Sequence, residues 1–94
     1  MFRIEQGDDG AIKLGGRLTA AEADEARRFL DTVTETVVLD FTDLAYISSA
    51  GLGILIALHH RLAESGHKVR VRNLNRNVGE LFRIAGFSMI FDIE

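Results

Sequence analysis

The chain has no cysteine, which excludes disulfides and thiolate chemistry. It has no proline either, and no stretch with linker composition, low complexity or a fixed repeat. A basic excess is also missing. Net charge is −3, so electrostatics gives no support for nucleic-acid binding. Long apolar runs are absent. The longest uncharged one, Ile47 to Leu58, is broken by two serines and two glycines and is too short to cross a bilayer. Met1-Phe2-Arg3-Ile4-Glu5 alternates like a strand and has no signal-peptide core. The cytoplasm is therefore the expected compartment, with no membrane insertion.

What is present is ordinary for a soluble fold: 47% apolar residues and seven aromatics in 94 residues. One domain, 1–94, is expected, with one small core and little room for a deep catalytic cleft.

Phe2 and Ile4 alternate with Arg3 and Glu5, and Ile12 and Leu14 with Lys13 and Gly15. Gly7-Asp8-Asp9-Gly10 between them predicts a hairpin. Thr19 with Glu22 has capping-box spacing, and a helix is expected from about Ala20 to Val33. Its apolar face carries Ala23, Ala26, Phe29, Leu30 and Val33. Thr36 to Phe41 reads as a strand, then Ser49 to Ser65 as a helix stopped by Gly66. Lys68 to Arg72 is a further strand, and Asn75 caps a helix from about Arg76 to Ala85, ended by Gly86. Met89 to Ile93 is a weaker last strand. The order is ββαβαβαβ, an α/β fold with a mostly parallel mixed sheet. Its strands alternate instead of running solidly apolar, so the helices are expected mainly on one face. Val37, Leu39, Phe41, Val69 and Val71 are the predicted core, packed against by Phe29, Leu55 and Leu81.

The segment that carries most information is Tyr46-Ile47-Ser48-Ser49-Ala50-Gly51-Leu52-Gly53. It places two hydroxyls between a strand and the start of an apolar helix, where free N–H groups and the helix dipole favour negative charge. Either serine can cap the helix, bind an anion or accept a phosphate. A hydrolase nucleophile fits poorly: the pattern is not G-x-S-x-G and no acid–His pair has a recognised spacing. A phosphate-binding loop fits poorly too, since no Walker lysine follows Gly51-x-Gly53. The helix beyond is apolar nearly all round. If Leu55, Leu58 and Leu62 dock on the sheet, some of Leu52, Ile54 and Ile56 point elsewhere. They either form a protein-binding patch beside the serines or are covered by the first helix and loops.

Other groups offer less. His59 and His60 are adjacent on a helix and do not converge, and with His67 they lack a carboxylate at metal spacing. No metal, cofactor or catalytic residue is expected. Lys68, Arg70, Arg72 and Arg76 read as a solvated open sheet face more readily than as a partner site. Asp8, Asp9, Asp40 and Asp43 show no general-acid arrangement.

The serine segment, with Asp43-Leu44 before it, resembles the signature of STAS-domain proteins, in particular bacterial anti-sigma factor antagonists. The resemblance extends to Gly16-Arg17-Leu18-Thr19, Val38-Leu39-Asp40-Phe41 and the run from Val78 to Phe87. It departs at Ser48, where many members have aspartate. The resemblance implies that Ser49 is the phosphoacceptor and that Ser48, Ser49, Ala50, Gly51, Leu52, Gly53 and Ile56 meet the partner. That partner would be an anti-sigma factor serine kinase, bound by the unphosphorylated chain and released on phosphorylation, with a serine phosphatase restoring binding. The alternative the resemblance leaves is an unphosphorylated regulatory STAS subunit of a membrane lipid ABC transporter.

Overall fold

Turn chemistry and apolar periodicity translate into elements along the whole chain, which a computed structural model describes from residue 1 to 94. Phe2–Gln6 (β1) and Ile12–Leu18 (β2) form an antiparallel hairpin, with Phe2 opposite Gly16 and Gln6 opposite Ile12. Asp9 closes its turn by accepting the Ala11 N–H at 3.1 Å. A 3₁₀ turn at Ala20–Glu22 leads into Ala23–Leu30 (α1), followed by Val37–Ile47 (β3) and Ser49–Ala63 (α2). Val69–Arg72 (β4), Arg76–Ile84 (α3), a 3₁₀ turn at Phe87–Met89 and Asp92–Ile93 (β5) complete the chain. The sheet order is β1-β2-β3-β4-β5, parallel from β2 onward. The ββαβαβαβ order and the mostly parallel mixed sheet are thus as expected.

One face of the sheet carries the core. Ile12, Leu14, Leu18, Val37, Leu39, Phe41, Leu44, Ile47, Val69 and Val71 are all buried in one apolar cluster with residues of all three helices. Leu55, Leu58 and Leu62 of α2 and Val78 and Phe82 of α3 dock there. Phe29 and Leu81 are half-buried against the same cluster. Phe82 joins the sheet to the C-terminus through edge contacts, 5.9 Å to the Phe41 ring centroid and 5.4 Å to that of Phe87.

The other face is polar and alternates in charge. Register places Glu5 beside Lys13, Lys13 beside Asp40, and Asp40 beside Arg72. Arg3 pairs with Asp43 at 3.9 Å and Arg70 with Asp92 at 3.7 Å. Of the basic residues read as a solvated face, Arg70 and Arg72 are thus matched by carboxylates, and Arg76 is not.

Four elements differ from expectation at their ends. The first helix is shorter at both ends. Thr19 Oγ1 donates to Glu22 Oε1 and Oε2, at 2.9 and 2.7 Å, instead of accepting a backbone N–H, and the first turn closes as 3₁₀. At the far end Arg61 of α2 donates to the Leu30 and Val33 carbonyls, at 2.9 and 2.7 Å, and so caps α1.

β3 runs to Ile47, six residues past Phe41, because it pairs with β2 through two register shifts. Asp40 faces Lys13 but Asp43 faces Gly15, and Leu44 faces Gly16 but Tyr46 faces Arg17. Each step leaves one extra residue in β3, a bulge that breaks the period of two. Buried apolar positions therefore fall at 37, 39, 41, 44 and 47. Helix α2 ends at Ala63, two residues before the expected Ser65. The last strand keeps only Asp92–Ile93, because Phe87–Met89 forms a helical turn after Gly86, whose φ is 77°.

Candidate functional site

The parallel strands end where α2 and α3 begin, so both helix N-termini lie at one end of the sheet. Ser48 alone makes the turn from β3 to α2. Its backbone is extended, and its Oγ accepts the Gly51 N–H at 3.2 Å. Its N–H donates to the Leu18 carbonyl at 2.9 Å, and its own carbonyl accepts the Leu52 N–H at 2.9 Å. Ser48 is therefore the N-cap, half-buried and tied on three sides. Ser49 is the first helical residue. It is exposed, and its hydroxyl takes no part in this network. The two serines are chemically distinct: one is committed to structure and one is open to solvent.

Gly51 is buried. A Cβ there would sit 2.7 Å from Ile47 Cγ1 and 2.9 Å from Leu18 Cγ, so the missing side chain lets α2 start directly against β2 and β3. It sets the position of the serines and offers no surface to a partner. Gly53, by contrast, is exposed, with nothing within 4 Å of a built Cβ. Ser49, Gly53 and Ala57 recur on the outward side of α2 and are exposed or small. Ala50 is half-buried. Leu52, Ile54 and Ile56, expected to include exposed side chains, are half-buried against the core cluster. Ile54 faces α1, beside Leu30 and Arg27, and the exposed parts of the three form an apolar margin along the helix.

Two features here were not legible in the sequence. Arg17 of β2 stacks on Tyr46 of β3, its guanidinium carbon 4.5 Å from the ring centroid. The pair lines a groove of about 390 Å³ with Ala45, Asn77, Val78, Glu80 and Leu81, beside the serine turn. Only the register shift at Gly16–Arg17 brings these two residues opposite each other. The second feature is the Arg61 clamp on α1. Beside it Arg27, Leu30, Asp31, Ile54, Ala57 and Leu58 line a smaller groove of about 160 Å³.

The four aspartates do not converge as an acid–base pair. Asp8 is exposed, and Asp43 pairs with Arg3. Asp9 meets Arg72, whose hydrogen bond, with that of the Ala11 N–H, holds its carboxyl below the ordinary range. Asp40 is 7% exposed, the one buried charged residue. Burial pushes its carboxyl up, but hydrogen bonds from the Thr42 hydroxyl and N–H, Asn73 and Arg72 outweigh it and hold it well below the ordinary range. Both stay ionised near neutrality and neither can donate a proton there. His59 is half-buried, with Nδ1 buried and unpartnered, while His60 is exposed. Their ring centroids lie 5.4 Å apart. His67 lies across a separate groove from His59.

Comparison with known proteins agrees with this fold. The family described as Mlab, STAS domain matches residues 2–92. BtrV of Bordetella bronchiseptica, whose name places it among the anti-sigma factor antagonists, is 35% identical over 74 residues. The aligned part is 79% of this chain and 58% of BtrV, so the chain spans little more than half of that relative. The unphosphorylated form of the anti-sigma factor antagonist SpoIIAA superposes over 100% of this chain and 88% of its own, with TM-score 0.79 at 17% identity. The phosphorylated form of the Bacillus cell fate determinant SpoIIAA does so over 100% and 91%, with TM-score 0.72 at 16% identity. At those identities the likeness shows a shared fold.

Proposed function

We propose a function from one premise: the chain belongs to the STAS domain family. It acts as an anti-sigma factor antagonist, a binding module and not an enzyme. Unphosphorylated, it binds an anti-sigma factor serine kinase. Phosphorylation of Ser49 releases it, and a serine phosphatase restores it.

The observation that carries this reading is the division of labour between the serines. Ser48 holds the helix cap, whereas Ser49 presents an exposed hydroxyl with no bond to lose. A phosphate on Ser49 adds about −1.5 to −2 charges at a helix N-terminus, where free N–H groups and the dipole tolerate it. The same charge pressed into an interface loses its hydration and disfavours the complex. The fold can stay intact while the binding surface gains negative charge. The names of BtrV and SpoIIAA, one solved in both phosphorylation states, point the same way.

The test begins with the unphosphorylated chain as bait in the source cell, followed by reconstitution with the purified kinase and ATP. The expected result is a kinase complex that dissociates as phosphate appears on Ser49 by mass spectrometry. No kinase complex, or phosphate confined to Ser48, overturns the reading. In the first case the assignment moves to an unphosphorylated transporter subunit.

A further inference from the structure

The charges of this chain are mostly settled internally. Arg3, Arg27, Arg70, Arg72 and Arg83 each meet a carboxylate within 4.0 Å. Arg61 spends its guanidinium on two carbonyls. Arg17, Arg28 and Arg76 have no carboxylate partner, and among these only Arg17 lines a groove. That groove holds one acidic residue, Glu80, and Arg83 engages it at 2.6 Å. The floor is apolar: Ala45, Val78, Leu81 and the ring of Tyr46, which is 37% exposed. A cation fixed over an aromatic ring above an apolar floor is complementary to an apolar side chain flanked by a carboxylate. It is mismatched to a basic segment.

We propose that the Arg17–Tyr46 groove receives an acidic, apolar-tipped segment of the anti-sigma factor partner, and that Arg17 is the specificity-determining residue of this contact. The inference rests on the reading of the chain as an anti-sigma factor antagonist. Position links the groove to the switch. Tyr46 lies three residues before Ser49, and the Leu18 carbonyl, next to Arg17, accepts the Ser48 N–H. A phosphate on Ser49 therefore brings negative charge to the border of a groove occupied by negative charge. Release then follows from like-charge repulsion as well as from lost hydration. Arg17 attracts the partner's carboxylate in the unphosphorylated state.

The test is calorimetric titration of the purified partner kinase into wild type, Arg17→Glu, Arg17→Lys and Arg28→Glu, at low and high salt. Arg28 is an exposed residue of α1 outside the groove, so its variant carries the same change of net charge elsewhere. The expected result is about tenfold or greater loss of affinity for Arg17→Glu, with a small change for Arg17→Lys and Arg28→Glu. The wild-type affinity should fall with salt, and the Arg17→Glu affinity should be less salt-dependent. Circular dichroism of each variant separates lost binding from lost folding; if Arg17→Glu is unfolded, Arg17→Gln takes its place with the same expectation in smaller degree. Wild-type binding with Arg17→Glu equal to Arg28→Glu overturns this inference and leaves the parent reading standing. No binding by wild type overturns both.

Discussion

Arg72 reaches across the β3–β4 pairing to donate from Nε and Nη2 to one oxygen of Asp40, Oδ2, at 3.2 and 3.1 Å. Asp40 Oδ1 is left to Thr42 and Asn73, so both oxygens of the buried carboxylate are used. Arg72 also donates to Asp9 in the hairpin turn. One guanidinium thus ties the β1–β2 turn to the two central strands on the open face.

The first prediction concerns acid. The Asp40 carboxyl is depressed in the folded state, despite the opposing push of burial, by Thr42, Asn73 and Arg72. A depressed carboxyl stabilises the fold above its unfolded pKa of about 3.9 and loses that contribution as pH falls toward its folded value. Asp40→Asn should be less stable than wild type at pH 7 by about 1.5–3 kcal/mol. The gap should be constant above about pH 5 and narrow steadily below about pH 4. Urea unfolding across that range checks it, and a gap independent of pH contradicts it.

The second prediction separates two glycines. Gly51→Ala forces a Cβ to within 3 Å of Ile47 and Leu18 and should cost about 1–3 kcal/mol. Gly53→Ala meets nothing and should stabilise by about 0.5–1 kcal/mol, as an exposed helical glycine replaced by alanine. Thermal melts decide both. Gly53→Arg should fold normally and block the kinase. It is a cleaner probe of the surface than Leu52→Asp or Ile56→Asp, whose half-buried side chains also touch the core.

The third prediction separates two hydroxyls. Ser48→Ala removes the cap of α2 and should cost about 1 kcal/mol. Ser49→Ala should lie within about 0.5 kcal/mol of wild type, since its hydroxyl bonds nothing. In kinase assays the ranking should invert. Ser48→Ala remains a substrate, and Ser49→Ala forms a complex that ATP does not dissolve. Ser49→Asp should bind weakly, although one carboxylate charge is an incomplete copy of a phosphate.

The fourth prediction concerns the clamp between helices. Arg61→Ala removes two charge-assisted hydrogen bonds to the Leu30 and Val33 carbonyls, and about 1–3 kcal/mol of stability should go with them. Amide hydrogen exchange should show the last turn of α1 opening before the rest of the helix. If α1 keeps wild-type protection, the clamp is not what ends the helix.

Much of the fold was legible because local pattern and tertiary role agree. Leu55, Leu58 and Leu62 form a helical stripe in sequence and the buried stripe in space. Val69 and Val71 alternate and are buried. The misreadings occur where tertiary contacts override pattern. Thr42-Asp43 and Ala45-Tyr46 are pairs of outward residues in β3, which no simple alternation predicts. The α1 terminus depends on Arg61, some thirty residues away in sequence. At the site, the motif located the serine turn, while the capping role of Ser48 became clear from its hydrogen bond to Gly51. The Arg17–Tyr46 groove was invisible because its walls come from β2, β3 and α3, and only register brings them together.

The strand order β1-β2-β3-β4-β5 has a kinetic consequence. Every strand pairs with the one just before it in the chain, so each new pairing closes a loop no longer than one helix and its connections. Closure entropy grows with loop length, and a sheet zipped in chain order never waits for a distant partner strand. No strand must be inserted between two already formed neighbours. Assembly can therefore advance from the hairpin toward β5 one helix-strand unit at a time, with the growing edge as its template.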